Sequence, residues 1–181
     1  MRDRGRAVCA LVLALALMLG VADQADAEAS RPLDLADTPA ELTITAGWTL
    51  EPAAGPVGDV LAALRGPGAL RATVVRLATP NPRAWNASKR DAYVAEVVAG
   101  FAASASGRIA AQRTTSPVPT IDIDLVRATP RQAVRARVLL FRTYTLVLVI
   151  VGSEADARNH RQAVDRLRDG LALPAGWSPT S

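Results

Sequence analysis

The chain of 181 residues holds one Cys, one His and one Lys. A single thiol excludes an intrachain disulfide framework and a thiolate metal site. A single imidazole, His160, leaves no second His to complete a zinc site. Twelve Gly and twelve Pro follow no fixed period, which excludes collagen-like and low-complexity chains. No cluster of carboxylates within about twelve residues supplies an oxygen-rich calcium loop. No glycine-rich phosphate cradle stands between a strand and a helix, because Gly66-Pro67-Gly68 joins two extended runs. What the chain does have is apolar material. Half of its residues are hydrophobic and 21% are charged, enough for a real core in one domain.

The longest charge-free stretch opens the chain. Arg2, Arg4 and Arg6 precede sixteen uncharged residues, Ala7 to Ala22, and Ala25-Asp26-Ala27 then places small residues where a signal peptidase reads them. Sixteen helical residues span roughly 24 Å, short of a ~30 Å hydrocarbon core. Residues 1–27 therefore read as a signal peptide cut between Ala27 and Glu28, giving a periplasmic or secreted protein with no stable membrane span after cleavage. An uncleaved inner-membrane anchor is the alternative. Cys9 lies too early to be a lipidation site. Removing residues 1–27 takes away three Arg and three Asp, so the net charge stays at +4. That is mild for this length, and the Arg excess fits a GC-rich bacterial genome better than a nucleic-acid partner.

Residues 28–40 lack apolar periodicity and are expected to be a flexible leader. Leu42 to Thr45 alternates and continues through Trp48 and Leu50, a strand with a break at Gly47. Val60–Arg65 and Ala69–Leu77 flank Gly66-Pro67-Gly68 and predict a hairpin, with Leu70, Ala72 and Val74 on one face. A helix is expected after Ser88, with Val94, Val97, Val98, Phe101, Ala102 and Ala105 in one stripe and Gly107 as its stop. Three strands follow: Thr120–Val126, Ala133–Phe141 and Tyr144–Val151. The last is apolar on both faces, which places it centrally under cover on both sides. The turn near Pro130 sets Asp122 opposite Arg137 and Asp124 opposite Arg135, a cross-strand charge ladder. Ser153 and Asp156 open a final helix whose stripe is Ala157, His160, Val164, Leu167 and Leu171. Glu154–Arg158 and Arg161–Asp165 are spaced for ion pairs along its outer side.

The fold class is thus α+β: an antiparallel sheet of about five to six strands covered by two main helices, a single α/β/α sandwich domain over residues 41–173, with 174–181 as a C-terminal tail. Gly47-Trp48 on an early strand, the long central helix, and Tyr144-Thr-Leu-Val-Leu-Val-Ile150 before a terminal helix resemble the PsbP-like superfamily. That superfamily includes photosynthetic extrinsic proteins, a nuclear-transport accessory protein and small exported bacterial proteins. The terminal helix departs from its relatives in ending Arg168-Asp-Gly-Leu171. The resemblance implies an accessory or scaffold role and brings no catalytic residues.

Few residues invite chemistry. His160 falls on an apolar stripe and reads as a packed or boundary histidine. Asp122 and Asp124 project from one strand face with Cβ atoms about 7 Å apart, a spacing also found in paired-carboxylate catalysis. Their Arg partners explain them without catalysis. Asn86-Ala-Ser88 matches a glycosylation acceptor, a tripeptide common by chance. A contact surface is a candidate at Arg83, Trp85, Arg90 and Tyr93, where a Trp beside Arg in a Pro-rich loop can stack on a partner; the favoured alternative is that Trp85 folds back to plug the boundary between helix and sheet. Trp48 and Trp177 are expected to pack against the domain. The reading is an exported, non-enzymatic interaction or accessory protein with an unknown protein partner, no nucleic acid, no cofactor and no metal. The alternative is a small-ligand carrier or enzyme with a cleft near Arg83 and Trp85.

Overall fold

Alternation of apolar side chains along each strand builds one sheet with two greasy faces. The computed structural model describes residues 30–52, 60–78, 86–103, 110–114, 118–127 and 131–177. Its strands are β1 (Arg31–Asp34), β2 (Glu41–Ile44), β3 (Thr49–Glu51), β4 (Val60–Arg65), β5 (Arg71–Ala78), β6 (Ala110–Thr114), β7 (Thr120–Arg127), β8 (Gln132–Leu140), β9 (Tyr144–Gly152) and β10 (Leu171–Ala172). Its helices are α1 (Ala87–Ala102), α2 (Glu154–Asn159) and α3 (Arg161–Gly170). Seven strands form the main sheet in the order β3-β4-β5-β9-β8-β7-β6, and β1-β2-β10 form a small second sheet. Each recorded strand pairing is antiparallel.

The main sheet is two meanders joined edge to edge. β3, β4 and β5 form the first, β6 to β9 the second, and β5 pairs with β9 from Arg71↔Val151 to Ala78↔Tyr144. The expected hairpin is present at Gly66-Pro67-Gly68, where Gly66 N–H donates to the Leu70 carbonyl at 3.0 Å. β9 is the centre of the molecule. Leu146, Leu148 and Ile150 enter one core with Leu70, Ala72 and Val74. Val147, Val149 and Val151 enter the other with Ile121, Ile123 and Leu125. All six of these β9 side chains are at most 4% exposed, as a strand apolar on both faces requires.

Each core has its own cover. α1 lays Val94, Val97 and Phe101 onto the second core. α2, α3 and the small sheet close the first with Ala157, Val164, Leu167, Leu42 and Ile44. The result is an α/β/α sandwich whose first layer also carries a three-stranded sheet.

Several boundaries differ from the sequence expectation. Part of residues 28–40 is structured: β1 pairs with β2 from Arg31↔Ile44 to Asp34↔Glu41, and Leu35 and Ala40 are 2% and 1% exposed. The connecting turn passes through Asp37 at φ +58, a conformation that a short polar side chain tolerates better than most. The single strand expected from Leu42 to Leu50 is two, belonging to different sheets. They are split by a turn in which Trp48 N–H donates to the Thr45 carbonyl at 3.1 Å and Gly47 takes φ +87. A positive φ at the third position of such a turn is what Gly supplies. α1 is capped by Asn86, whose side chain accepts the Lys89 N–H at 2.9 Å, and not by Ser88. Ala105 and Gly107 lie outside the described residues, as does the proposed cleavage site at Ala25, Ala27 and Glu28. Among the described residues, no helix is long and apolar enough to cross a membrane.

The terminal helix is two helices that meet at His160, whose backbone (φ −112, ψ 27) leaves the helical region. Hydrogen bonds still cross the kink, from His160 N to Asp156 O and from Val164 N to His160 O. The expected stripe therefore keeps facing the core. Ser153 caps α2 as expected, accepting the Asp156 N–H at 2.9 Å and donating to its carboxylate at 2.7 Å. Arg161 and Asp165 pair at 3.5 Å. Glu154 pairs with Arg131 at 2.8 Å in place of Arg158.

Candidate functional site

The charge ladder follows from strand periodicity. Ile121, Ile123 and Leu125 point into the second core, so Asp122 and Asp124 emerge on the opposite side, toward α3. β7 pairs with β8 in the expected register, Asp122↔Arg137 and Asp124↔Arg135. Arg137 grips Asp122 with both arms: Nε donates to Oδ1 and Nη2 to Oδ2, each at 2.7 Å. A two-pronged guanidinium–carboxylate contact is the strongest ion pair that proteins make. Hydrogen bonding to Asp122 raises the Arg137 pKa above its ordinary value; burial opposes the rise, and the charges of Asp122 and Asp169 add to it.

α3 extends the ladder into a network. Asp169 accepts from Arg137 Nη2 at 2.8 Å. Arg168 reaches Asp124 at 3.1 Å and Asp165 at 3.4 Å, while Arg135 Nε lies 3.3 Å from Asp124. The two carboxylates with catalytic spacing are therefore each held by guanidinium groups, and the helix is clipped to the sheet margin through the same contacts. Sequence spacing supplied the two rungs. It did not supply Arg168 and Asp169, whose role depends on how α3 crosses the strands.

A cleft opens at the end of this network. The C-terminal segment from Leu171 to Trp177 forms one wall, and Val118, Thr120, Leu139 and Arg137 form the other. Its volume is about 440 Å³, within the size range of small-ligand pockets. The segment turns back on itself where Trp177 N–H donates to the Pro174 carbonyl at 3.1 Å, with Gly176 at φ +79. This turn carries the Trp177 ring to 6.1 Å from Phe141, edge to face, and Phe141 stacks on Tyr144 at 4.6 Å. Trp177 thus packs against the domain as expected, and it also bounds the cleft. No sequence motif marks the cleft, because its walls are some thirty or more residues apart in the chain.

Of the candidate contact surface, Arg83 and Trp85 lie outside the described residues. Arg90 and Tyr93 are half-buried on α1. Tyr93 packs against the second core, its hydroxyl 3.5 Å from Thr145 Oγ1. The cleft at Trp177 lies on the first-core side, away from α1. His160 is half-buried at the α2–α3 kink. No group of three or more His, Cys, Asp or Glu able to hold a metal occurs among the described residues.

Tyr144, stacked on Phe141, carries a testable pH signature. Burial raises its phenol pKa, and Arg76 pulls it partly back. Both folded and unfolded chains keep the phenol protonated below about pH 10. Above that the unfolded chain ionises first, so this contribution to stability is lost as pH rises toward the raised folded value. Tyr144→Phe is expected to flatten the alkaline limb of the stability–pH curve, measured by urea melts between pH 8 and 11. An unchanged difference from the parent chain across that range would contradict the assignment.

Two antiparallel meanders, with helices on both faces and an early Gly-Trp turn between sheets, define an α/β/α sandwich. The chain is similar to the solution structure of cyanobacterial PsbP (CyanoP) from Synechocystis, with a TM-score of 0.53 and 10% identity over 86% of this chain and 98% of that one. A protein of unknown function from Pseudomonas aeruginosa, PA94, matches with a TM-score of 0.43 and 17% identity over 84% of this chain and all of its own. No protein-family model and no curated protein matches the chain. At 10% identity the likeness to CyanoP carries the fold alone.

Proposed function

We propose that the chain is an exported, non-enzymatic interaction or accessory protein of a bacterial envelope complex. The observation that carries this reading is the commitment of Asp122 and Asp124, the carboxylates best spaced for chemistry, to Arg137, Arg135 and Arg168. Carboxylates fixed in ion pairs with guanidinium groups hold α3 on the sheet, a structural use that accounts for both of them. Export rests on the basic start, the apolar run Ala7 to Ala22 and the small residues Ala25 and Ala27. The accessory role is what the sequence's resemblance to the PsbP-like superfamily implies.

Purification of the tagged chain from envelope fractions in mild detergent tests the reading. The expected result is a stoichiometric companion and an intact mass that begins near Glu28. Isolation as a lone species through every mild extraction overturns the interaction role. A retained residue 1–27 segment overturns cleavage. Substrate turnover abolished by one acidic or guanidinium substitution overturns the non-enzymatic assignment.

A further inference from the structure

We infer that the cleft beside β10 receives an extended apolar segment of a partner polypeptide, added as a strand to the small sheet. This rests on the interaction reading and names its surface. β10 is the end strand of the order β1-β2-β10, with β2 on one side through Leu171↔Leu42 and Ala172↔Glu41. Leu171 and Ala172 line the cleft and their β2 partners do not, so the cleft lies along the edge that β2 leaves open. The Leu171 N–H is spent on the Arg168 carbonyl; the rest of such an edge and the segment that continues it offer backbone groups that an incoming strand satisfies.

The walls select what kind of strand. Leu139, Leu171, Leu173 and Trp177 make them largely apolar, and Leu173 and Trp177 are only partly buried against the core. Two polar side chains line the cleft: Thr120, whose hydroxyl donates to the Val118 carbonyl at 3.1 Å, and Arg137. Its charge is balanced by Asp122 and Asp169, both within 2.8 Å, which removes the electrostatic advantage of an anionic ligand. Nε and Nη2 are spent on those carboxylates, whereas Nη1 makes no hydrogen bond to a described residue. Two unused donors on a charge-compensated guanidinium suit a neutral acceptor. A backbone carbonyl of an extended segment is that acceptor. A volume of about 440 Å³ accommodates a short stretch of such a segment, with its alternate side chains turned toward the leucines and Trp177.

A phage-displayed library of seven-residue peptides panned on the full-length chain tests this. Enriched peptides are expected to alternate apolar and polar residues. A synthetic representative should bind at least tenfold more weakly when alternate backbone amides are N-methylated, and at least tenfold more weakly to Leu173→Glu. Ala95→Glu, at an exposed position on α1, should leave binding unchanged. Absence of enrichment, or binding indifferent both to N-methylation and to Leu173→Glu, overturns the inference. So does an Arg137-dependent rise in melting temperature with octanoate in the absence of peptide binding, which would make the cleft an anion site. An envelope partner that still co-purifies with Leu173→Glu leaves the interaction reading standing and removes this cleft from it.

Discussion

Trp48→Ala is expected to cost about 3–5 kcal/mol, the usual loss when a buried Trp is truncated. Trp48 is 4% exposed and sits where the chain leaves the small sheet for the main one. Its ring lies on Gly66 in the β4–β5 turn so closely that a Cβ there would stand 2.6 to 2.9 Å from three ring carbons. Its indole N–H donates to the Ala163 carbonyl of α3 at 3.2 Å. One side chain therefore joins the crossing strand, the hairpin turn and the terminal helix. Domains of this size are stable by only about 5–15 kcal/mol, and about 1 kcal/mol moves the melting midpoint by roughly 2–4 °C. A fall of about 10 °C in circular-dichroism melts is the expected result. Gly66→Ala, which forces the ring away, should also destabilise the parent chain yet cost much less in the Trp48→Ala background, because the two residues share one contact. Additive losses would show that the ring and the turn are not coupled in this way.

The parts of the fold visible in the sequence are those fixed by short-range periodicity. β9 is apolar at each position from Leu146 to Val151 and could only be central. The ladder followed because β7 alternates strictly and its turn into β8 is short, so one register satisfies both the apolar and the charged faces. β6 was not foreseen: Ala110-Ala-Gln-Arg-Thr114 has no apolar alternation, and the strand is defined by its backbone pairing with β7. β1 was read as leader because Pro32 and the charged Arg31 and Asp34 mask its one leucine, Leu33, and its pairing with β2 appears only once the Asp37 turn is formed. The kink at His160 left no trace in the spacing, since the stripe stays in phase through it. The cleft was hidden for a different reason. It is assembled from the start of β7, the middle and end of β8, and the C-terminal segment, and no local pattern records that meeting. Arg137 was legible as a rung and illegible as a cleft wall.

Arg137→Met tests the hold of that ladder on the molecule. Arg137 and Asp122 side chains are 15% and 22% exposed, so the pair is shielded from water on most sides. Removing one partner of a buried pair costs about 3–5 kcal/mol, because the other charge is stranded. The residual exposure lets water reach Asp122, and a loss of about 2–3 kcal/mol in urea denaturation is expected here. Replacing both, as Arg137→Met with Asp122→Leu, should recover most of that loss, since an apolar pair carries no desolvation penalty. Arg135→Met should cost less than about 1 kcal/mol, near the value of a surface pair, because Asp124 is 38% exposed and keeps Arg168 as a second partner. The ordering distinguishes two views of the network. If the ladder served only as surface decoration, all three variants would fall within about 0.5 kcal/mol of the parent. If the double variant were less stable than Arg137→Met alone, Asp122 would have to be stabilised by groups other than Arg137, and the clip between α3 and the sheet would need a different anchor.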